Sequence, residues 1–207
     1  MLERPARGYF GGLWVFPGGG VEAIDDSALA HDVVAVAPDI DDFVWRAAAL
    51  RETVEEVGLA LTDPPLLHTI DGVGNDVYQQ IGHLGARLDG RRLRLLSQWV
   101  TPVGAPTRFD VRFYLAVIDG DPVLSAQPQE VVDMVWTDPG AALERAERSE
   151  WAMVIPTVHH LEWLTRHPDT EAAWAAASRA IGLRVEPIVE RDGSVVRVHL
   201  PASAQLP

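Results

Sequence analysis

Cysteine is absent from the 207 residues, which excludes disulfides, thiol nucleophiles and thiolate metal sites. Any metal must therefore be held by oxygen or imidazole. Lysine is absent too, so Schiff-base and lysine-base chemistry are excluded and all seventeen basic residues are arginines. Against thirty acids they leave a net charge of −13, a field that opposes nucleic-acid backbones. A phosphate-bearing substrate then needs local arginines or a bound cation. No apolar run approaches the roughly 20 residues of a membrane span, and the N-terminus lacks a basic stretch leading into an apolar one. These absences together lead us to expect a soluble, cytoplasmic protein with no nucleic-acid and no membrane partner.

What is present has the balance of a globular chain, with 47% apolar and 23% charged residues, and the length suits one core with appendages. Leu13 to Phe16 reads as a short strand that runs into Pro17-Gly18-Gly19-Gly20, a loop whose backbone can approach a ligand closely. An irregular stretch rich in Asp and Ala follows from Val21 to about Asp42. Asp41 and Asp42 are suitable caps for a helix beginning near Phe43. Ala47, Leu50, Val54 and Val57 stand at i, i+3, i+7 and i+10, one buried stripe, and Gly58 suits the exit. Val77 to Leu88 reads as a weak helix.

Strands are expected over Leu93 to Val100, Arg112 to Ile118 and Val131 to Trp136. Helices are expected over Pro139 to about Arg148, Pro156 to about Arg166, and Asp169 to Ile181. Arg184 to Glu190 and Val195 to Leu200 flank Arg191-Asp192-Gly193, a hairpin signature.

The chemistry concentrates in Arg51-Glu52-Thr53-Val54-Glu55-Glu56-Val57-Gly58-Leu59. At about 100° per residue, Glu52, Glu55 and Glu56 crowd one helix face opposite the apolar stripe, and like charges at these spacings repel. Two readings are open for the segment alone. One is a solvated acidic face with Arg51 paired to Glu55. The other is a site for a hard divalent cation, because Mg²⁺ takes oxygen ligands from carboxylates, water and substrate phosphate.

Phe16-Pro17-Gly18-Gly19 followed by Arg-Glu-x-x-Glu-Glu-x-Gly resembles the signature of the Nudix hydrolases, which cleave a nucleoside diphosphate linked to another group. In that pattern an acid follows the glycine by six residues; Gly19 and Asp25 hold those positions, with aspartate in place of glutamate. Arg51 comes thirty-two residues after Gly19 where the pattern has fourteen, so eighteen inserted residues interrupt the motif. By the logarithmic closure law this lengthening adds only about 0.7 kcal/mol, and the halves can still meet. Gln98 to Pro102, Arg108 to Tyr114, Glu130 and Val135-Trp136 resemble the branch with interrupted motifs, which includes a peroxisomal coenzyme A diphosphatase and bacterial relatives. The family has a strand ahead of the residues matching Met1 to Arg4, so an upstream extension is expected to raise stability.

The resemblance implies an α/β fold: a Nudix-like α/β/α sandwich with a mixed sheet over residues 1–167, and a helix and β-hairpin appendage over 168–207. It implies Mg²⁺ or Mn²⁺ as cofactor, with Glu52, Glu56, Glu55 and the Gly18 carbonyl as metal ligands. Arg51 would orient the glutamates, and Glu55 also stands as a catalytic candidate. Glu130, with Asp133 next, matches the acid that family members place before a late strand, as ligand or general base. Gly19, Gly20, Arg108 and Arg112 are the substrate-binding candidates, the two arginines being equally readable as structural partners within the sheet. His159 and His160 are adjacent on a helix, point about 100° apart, and suit a shared ion poorly. Trp99, Trp136 and Trp163 have the setting of core residues.

The implied substrate is a small nucleoside diphosphate derivative, coenzyme A or acyl-coenzyme A among the candidates, with ADP-sugars and dinucleotides containing the same scissile group. A non-catalytic nucleotide sensor is the rival reading, and it predicts loss of a glutamate that this chain retains. Within the insertion, Asp26, Asp32 and Asp39 are expected to repel a triphosphate, and Val33, Val34 and Val36 to offer an apolar face to the substrate. Oligomeric state is not readable, although a homodimer is possible.

Overall fold

The computed structural model describes residues 1–207 apart from Tyr9, Leu67, His68, Thr69, Gly104, Pro106, Ala180, Ile181, Gly193, Ser194 and Pro207. The strands are β1 (Leu2–Glu3), β2 (Trp14–Val15), β3 (Val34–Ala35), β4 (Thr62–Asp63), β5 (Arg87–Asp89), β6 (Arg94–Val100), β7 (Asp110–Leu115), β8 (Asp133–Met134), β9 (Leu183–Val185), β10 (Ile188–Asp192) and β11 (Val195–His199). The helices are α1 (Ala28–Val33), α2 (Phe43–Val57), α3 (Asn75–His83), α4 (Pro139–Glu147), α5 (Ile155–Leu164) and α6 (Thr170–Ala177). Parallel and antiparallel pairings both occur, so the chain is a mixed α/β protein. No helix of the described residues is long and apolar enough to cross a membrane.

The residues form two compact units, one of 1–92 with 118–166 and the other of 93–117 with 167–207. In the first, β1 pairs antiparallel with β2 and β8 on its two sides, while β5 lies between β3 and β4. Trp14, Ala142, Trp151 and Leu161 form one apolar cluster, in which Trp14 and Trp151 stack at 3.9 Å. Leu2, Val57 and Val131 form another against Val15, Leu59 and Leu124. In the second unit β6 lies between β7 and β9, and β10 pairs with β11. Trp99 and Val185 are its buried centre, and the Trp99 indole donates to Ser97 Oγ at 3.0 Å. Gly193, at the expected hairpin turn, lies outside the described residues, as does Ile181, the expected end of the last helix.

Helix α2 is where the spacing placed it. Leu50 and Val54 are buried, and Gly58 closes the helix at φ 69°, a conformation that a side chain would strain. The cap at the other end differs from expectation. Asp42 makes no side-chain capping bond, because its carboxylate accepts from Arg46 Nε at 2.6 Å one turn along.

The stretch expected to be irregular is not. Ala23–Asp26 form a 3₁₀ turn, Ser27 caps α1 by accepting from the Ala30 amide, and β3 pairs in parallel with β5. Val33 and Val34 are therefore buried within their own unit, which corrects the expectation that they face a ligand. Asp26, Asp32 and Asp39 are exposed. Trp136 also departs from its expected setting: β8 stops at Met134, so the ring lies past the strand and is 55% exposed, whereas Trp99 and Trp163 are buried.

Candidate active site

The site is assembled on α2 by the loop of Pro17 to Gly20 and by the segment from Ser125 to Glu130. The amide of Gly18 donates to Glu56 Oε2 at 2.8 Å, which ties the glycine loop to the helix. On the other side, the last-turn carbonyls of α2 have no partners within the helix and accept instead from the loop. Ser125 N donates to the Val57 carbonyl and Gln127 N to that of Glu56. This pins the turn that carries Glu130 against the helix end.

As a result, ligand oxygens of Glu52, Glu56 and Glu130 lie within 4.8 Å of one another. Glu52 and Glu56 are buried, Glu56 fully, and Glu130 is partly exposed. The solvated acidic face is thus ruled out for these two. Oxygens about 2.1 Å from Mg²⁺ stand about 3–4.2 Å apart in an octahedron, so this oxygen-only cluster can hold a hard divalent cation after a small contraction. The electrostatics agree. Burial raises the pKa of Glu52, and burial pushes that of Glu56 up to about 7 against the opposing effects of Arg4 and the Gly18 amide, with Glu52 and Glu130 adding repulsion. A cation would relieve both.

Arg51 is 1% exposed and distributes its guanidinium over four partners. It donates to Asp25 through Nε at 2.8 Å and Nη2 at 3.1 Å, to Glu52 at 2.9 Å, to Glu55 at 3.0 Å and to the Gly20 carbonyl at 2.9 Å. Burial opposes its charge, yet Asp25, Glu55 and Glu52 hold the guanidinium protonated. Asp25, fully buried, also accepts from Tyr78 OH at 2.5 Å and from the Glu22 amide at 2.7 Å. Burial and the Asp25 anion raise the Tyr78 pKa, so the phenol stays a donor.

The remaining candidates are placed as follows. Glu55 accepts from Arg51 and from the Gly74 amide at 2.7 Å, and the Gly18 carbonyl accepts from Arg4 Nη2 at 2.6 Å. Asp133 accepts from the Met134 amide. Arg108 and Arg112 fall in the other unit, where Arg108 donates to the Thr101 carbonyl and Arg112 lies opposite Gln98 in the β6–β7 ladder. His160 is buried with Nδ1 2.6 Å from the Pro156 carbonyl, and burial pushes its pKa down to about 4. Sequence reasoning missed Arg4 and Tyr78. Neither sits in a recognisable spacing, and Tyr78 lies on a helix read only as weak.

Gly19 has a geometric role. A Cβ built there falls on the Glu52 carboxylate, so Gly19→Ala must push that carboxylate aside. A displacement near 1 Å is enough to lower kcat about 10²-fold. Wild-type kcat and unchanged Mn²⁺ affinity in the variant would mean that Glu52 has room to spare.

The titration of Glu56 predicts a stability signature. Its folded-state pKa is raised, so the stabilising effect of its proton is fully present below the ordinary 4.5 and is lost as pH rises through about 7. The neutral amide of the E56Q variant has no such loss. In metal-free protein, E56Q should gain on wild type by about 3 kcal/mol between pH 4.5 and 8, read from urea unfolding at each pH. Saturating Mg²⁺ should reverse the order at pH 8. A gap that does not change with pH contradicts the burial argument.

Comparison with known proteins extends this geometry. No family model matches the chain. Two curated relatives named acyl-coenzyme A diphosphatase NUDT19 are each 27% identical: that of Gallus gallus over 78% of this chain and 59% of its own length, and that of Homo sapiens over 70% and 54%. The chain thus spans a little over half the length of these relatives. The crystal structure of a Nudix hydrolase from Alicyclobacillus acidocaldarius superposes with a TM-score of 0.68 at 29% identity, covering 86% of each chain. In sequence and fold the chain resembles the Nudix hydrolases. Within that superfamily the resemblance runs to proteins named as acyl-coenzyme A diphosphatases.

Proposed function

We propose that the protein is a metal-dependent hydrolase that cleaves the diphosphate linkage of a nucleoside diphosphate joined to another moiety, with coenzyme A and its acyl derivatives as the substrate class. The convergence of Glu52, Glu56 and Glu130 within 4.8 Å, beside a glycine loop, carries the reading. Glu52, Glu56 and Glu130 would hold Mg²⁺ or Mn²⁺, with Glu55 and the Gly18 carbonyl as further oxygens within the same loop and helix. When bound, the cation offsets the charge on the diphosphate and lowers the pKa of an attacking water.

The chain's own groups do the rest. Arg51 and Asp25 fix the orientation of Glu52, Glu130 sits at the exposed side of the cluster where a base can meet water, and Gly19 and Gly20 let the backbone approach the phosphates. The substrate class rests on the names of the relatives and on the retained glutamates, since Val33 and Val34 of the insertion are buried.

A Mg²⁺-dependent hydrolysis screen over coenzyme A, acyl-coenzyme A, ADP-ribose, diadenosine polyphosphates and nucleoside triphosphates, with products identified by mass, tests it. Expected products are 3′,5′-ADP and an (acyl-)phosphopantetheine. A higher kcat/KM for a nucleoside triphosphate than for every coenzyme A form rejects the substrate class, and no hydrolysis of any diphosphate rejects the activity.

A further inference from the structure

Arg4 reaches two of the three carboxylates around which a cation would sit. Its Nη2 lies 2.5 Å from Glu56 Oε1 and donates to the Gly18 carbonyl at 2.6 Å, and its Nη1 reaches Glu130 Oε2 at 3.4 Å. Glu56 and Glu130 belong to the carboxylate cluster, and Gly18 lies in the loop tied to it. A guanidinium in this position competes with a divalent cation, because the two positive charges repel at such short separation in a buried setting. We infer that Arg4 is a built-in occupant of the cation site, neutralising Glu56 and Glu130 in the metal-free protein and withdrawing when a divalent cation binds.

Three further observations support this. The contact with Glu56 Oε1 is close but lacks hydrogen-bond alignment, since that buried oxygen has no hydrogen-bond partner among the described residues. An ionic contact of this kind is exchanged more readily than an aligned pair. The Arg4 side chain is 21% exposed, which leaves it a way out, whereas Arg51 is 1% exposed and held on every side. The Arg4 backbone is fixed by the hydrogen bond its amide donates to the Leu13 carbonyl and by the one its carbonyl accepts from the Gly12 amide, so only the side chain needs to move. The two arginines thus divide the work, with Arg51 orienting glutamates permanently and Arg4 filling the site in the absence of metal.

The inference rests on the metal-dependent reading above. Its consequence is a lowered apparent metal affinity, since binding is weakened in proportion to the fraction of molecules in which Arg4 holds the site. Mn²⁺ binding to the metal-free full chain, followed by electron paramagnetic resonance without substrate, should be about tenfold tighter in Arg4→Met than in wild type. Arg7→Gln, which removes one exposed positive charge nearby in sequence, should stay within about twofold of wild type. In ¹⁵N-arginine-labelled wild type, the Arg4 side-chain signal, assigned by its loss in Arg4→Lys, should shift in step with Mg²⁺ occupancy. The Arg51 signal should remain close to its metal-free position.

Equal Mn²⁺ affinity in Arg4→Met and wild type, or an Arg4 signal unmoved at saturating Mg²⁺, overturns the inference and leaves metal dependence standing. No metal binding by any form overturns both. If Arg4→Met fails to fold, the Mg²⁺ titration of the wild-type protein decides alone.

Discussion

Replacing Glu52 or Glu56 by Gln should abolish hydrolysis to about one part in 10³ or less and leave the fold intact. Each carboxylate supplies an anionic oxygen to the cluster, and an amide oxygen of the same shape does not. On the proposed metal-dependent reading, a bound cation would contribute several kcal/mol to the transition state, and each 1.4 kcal/mol is about a factor of ten. The fold survives because Glu52 and Glu56 are both raised in pKa, so that their charges oppose folding rather than support it. Steady-state kcat with Mg²⁺, together with circular dichroism of the metal-free variants, makes the measurement. Activity within about threefold of wild type in either variant would place the site elsewhere.

Arg51→Met should destabilise the protein by about 3–5 kcal/mol, because it strands the carboxylate of a fully buried Asp25 without its counter-charge. Tyr78 and the Glu22 amide still donate to Asp25, but neither carries charge. Adding Asp25→Asn should recover more than half of the loss, since the neutral amide keeps hydrogen bonds and needs no cation. Urea unfolding of wild type, single and double variants forms the cycle. A loss below about 1 kcal/mol in the single variant, or no recovery in the double, would show that Asp25 and Arg51 are not coupled in the way their geometry implies.

The legible part of this chain was what periodicity or fixed spacing encodes. Helix α2 follows from Ala47, Leu50, Val54 and Val57, and the meeting of Gly19 with Glu52 follows from a two-part motif whose closure entropy is small. The segment from Ala28 to Ala35 was not legible, since a helix of six residues and a strand of two are too short to display a period. Asp42 misled for a local reason, in that a carboxylate with a buried arginine one turn ahead satisfies that arginine before the helix amides. Arg4 was invisible because its partners are 14, 52 and 126 residues away.

The parallel pairing of β3 with β5 makes the inserted segment a structural part of the fold. With Val34 and Ala35 removed, β5 would keep β4 on one side and bare its amides and carbonyls on the other, an open template for association with a second molecule. Deleting the inserted residues to restore the uninterrupted spacing would therefore expose a new sheet edge. The inserted segment is thus a working part of the sheet, and shortening it removes strand pairing as well as length.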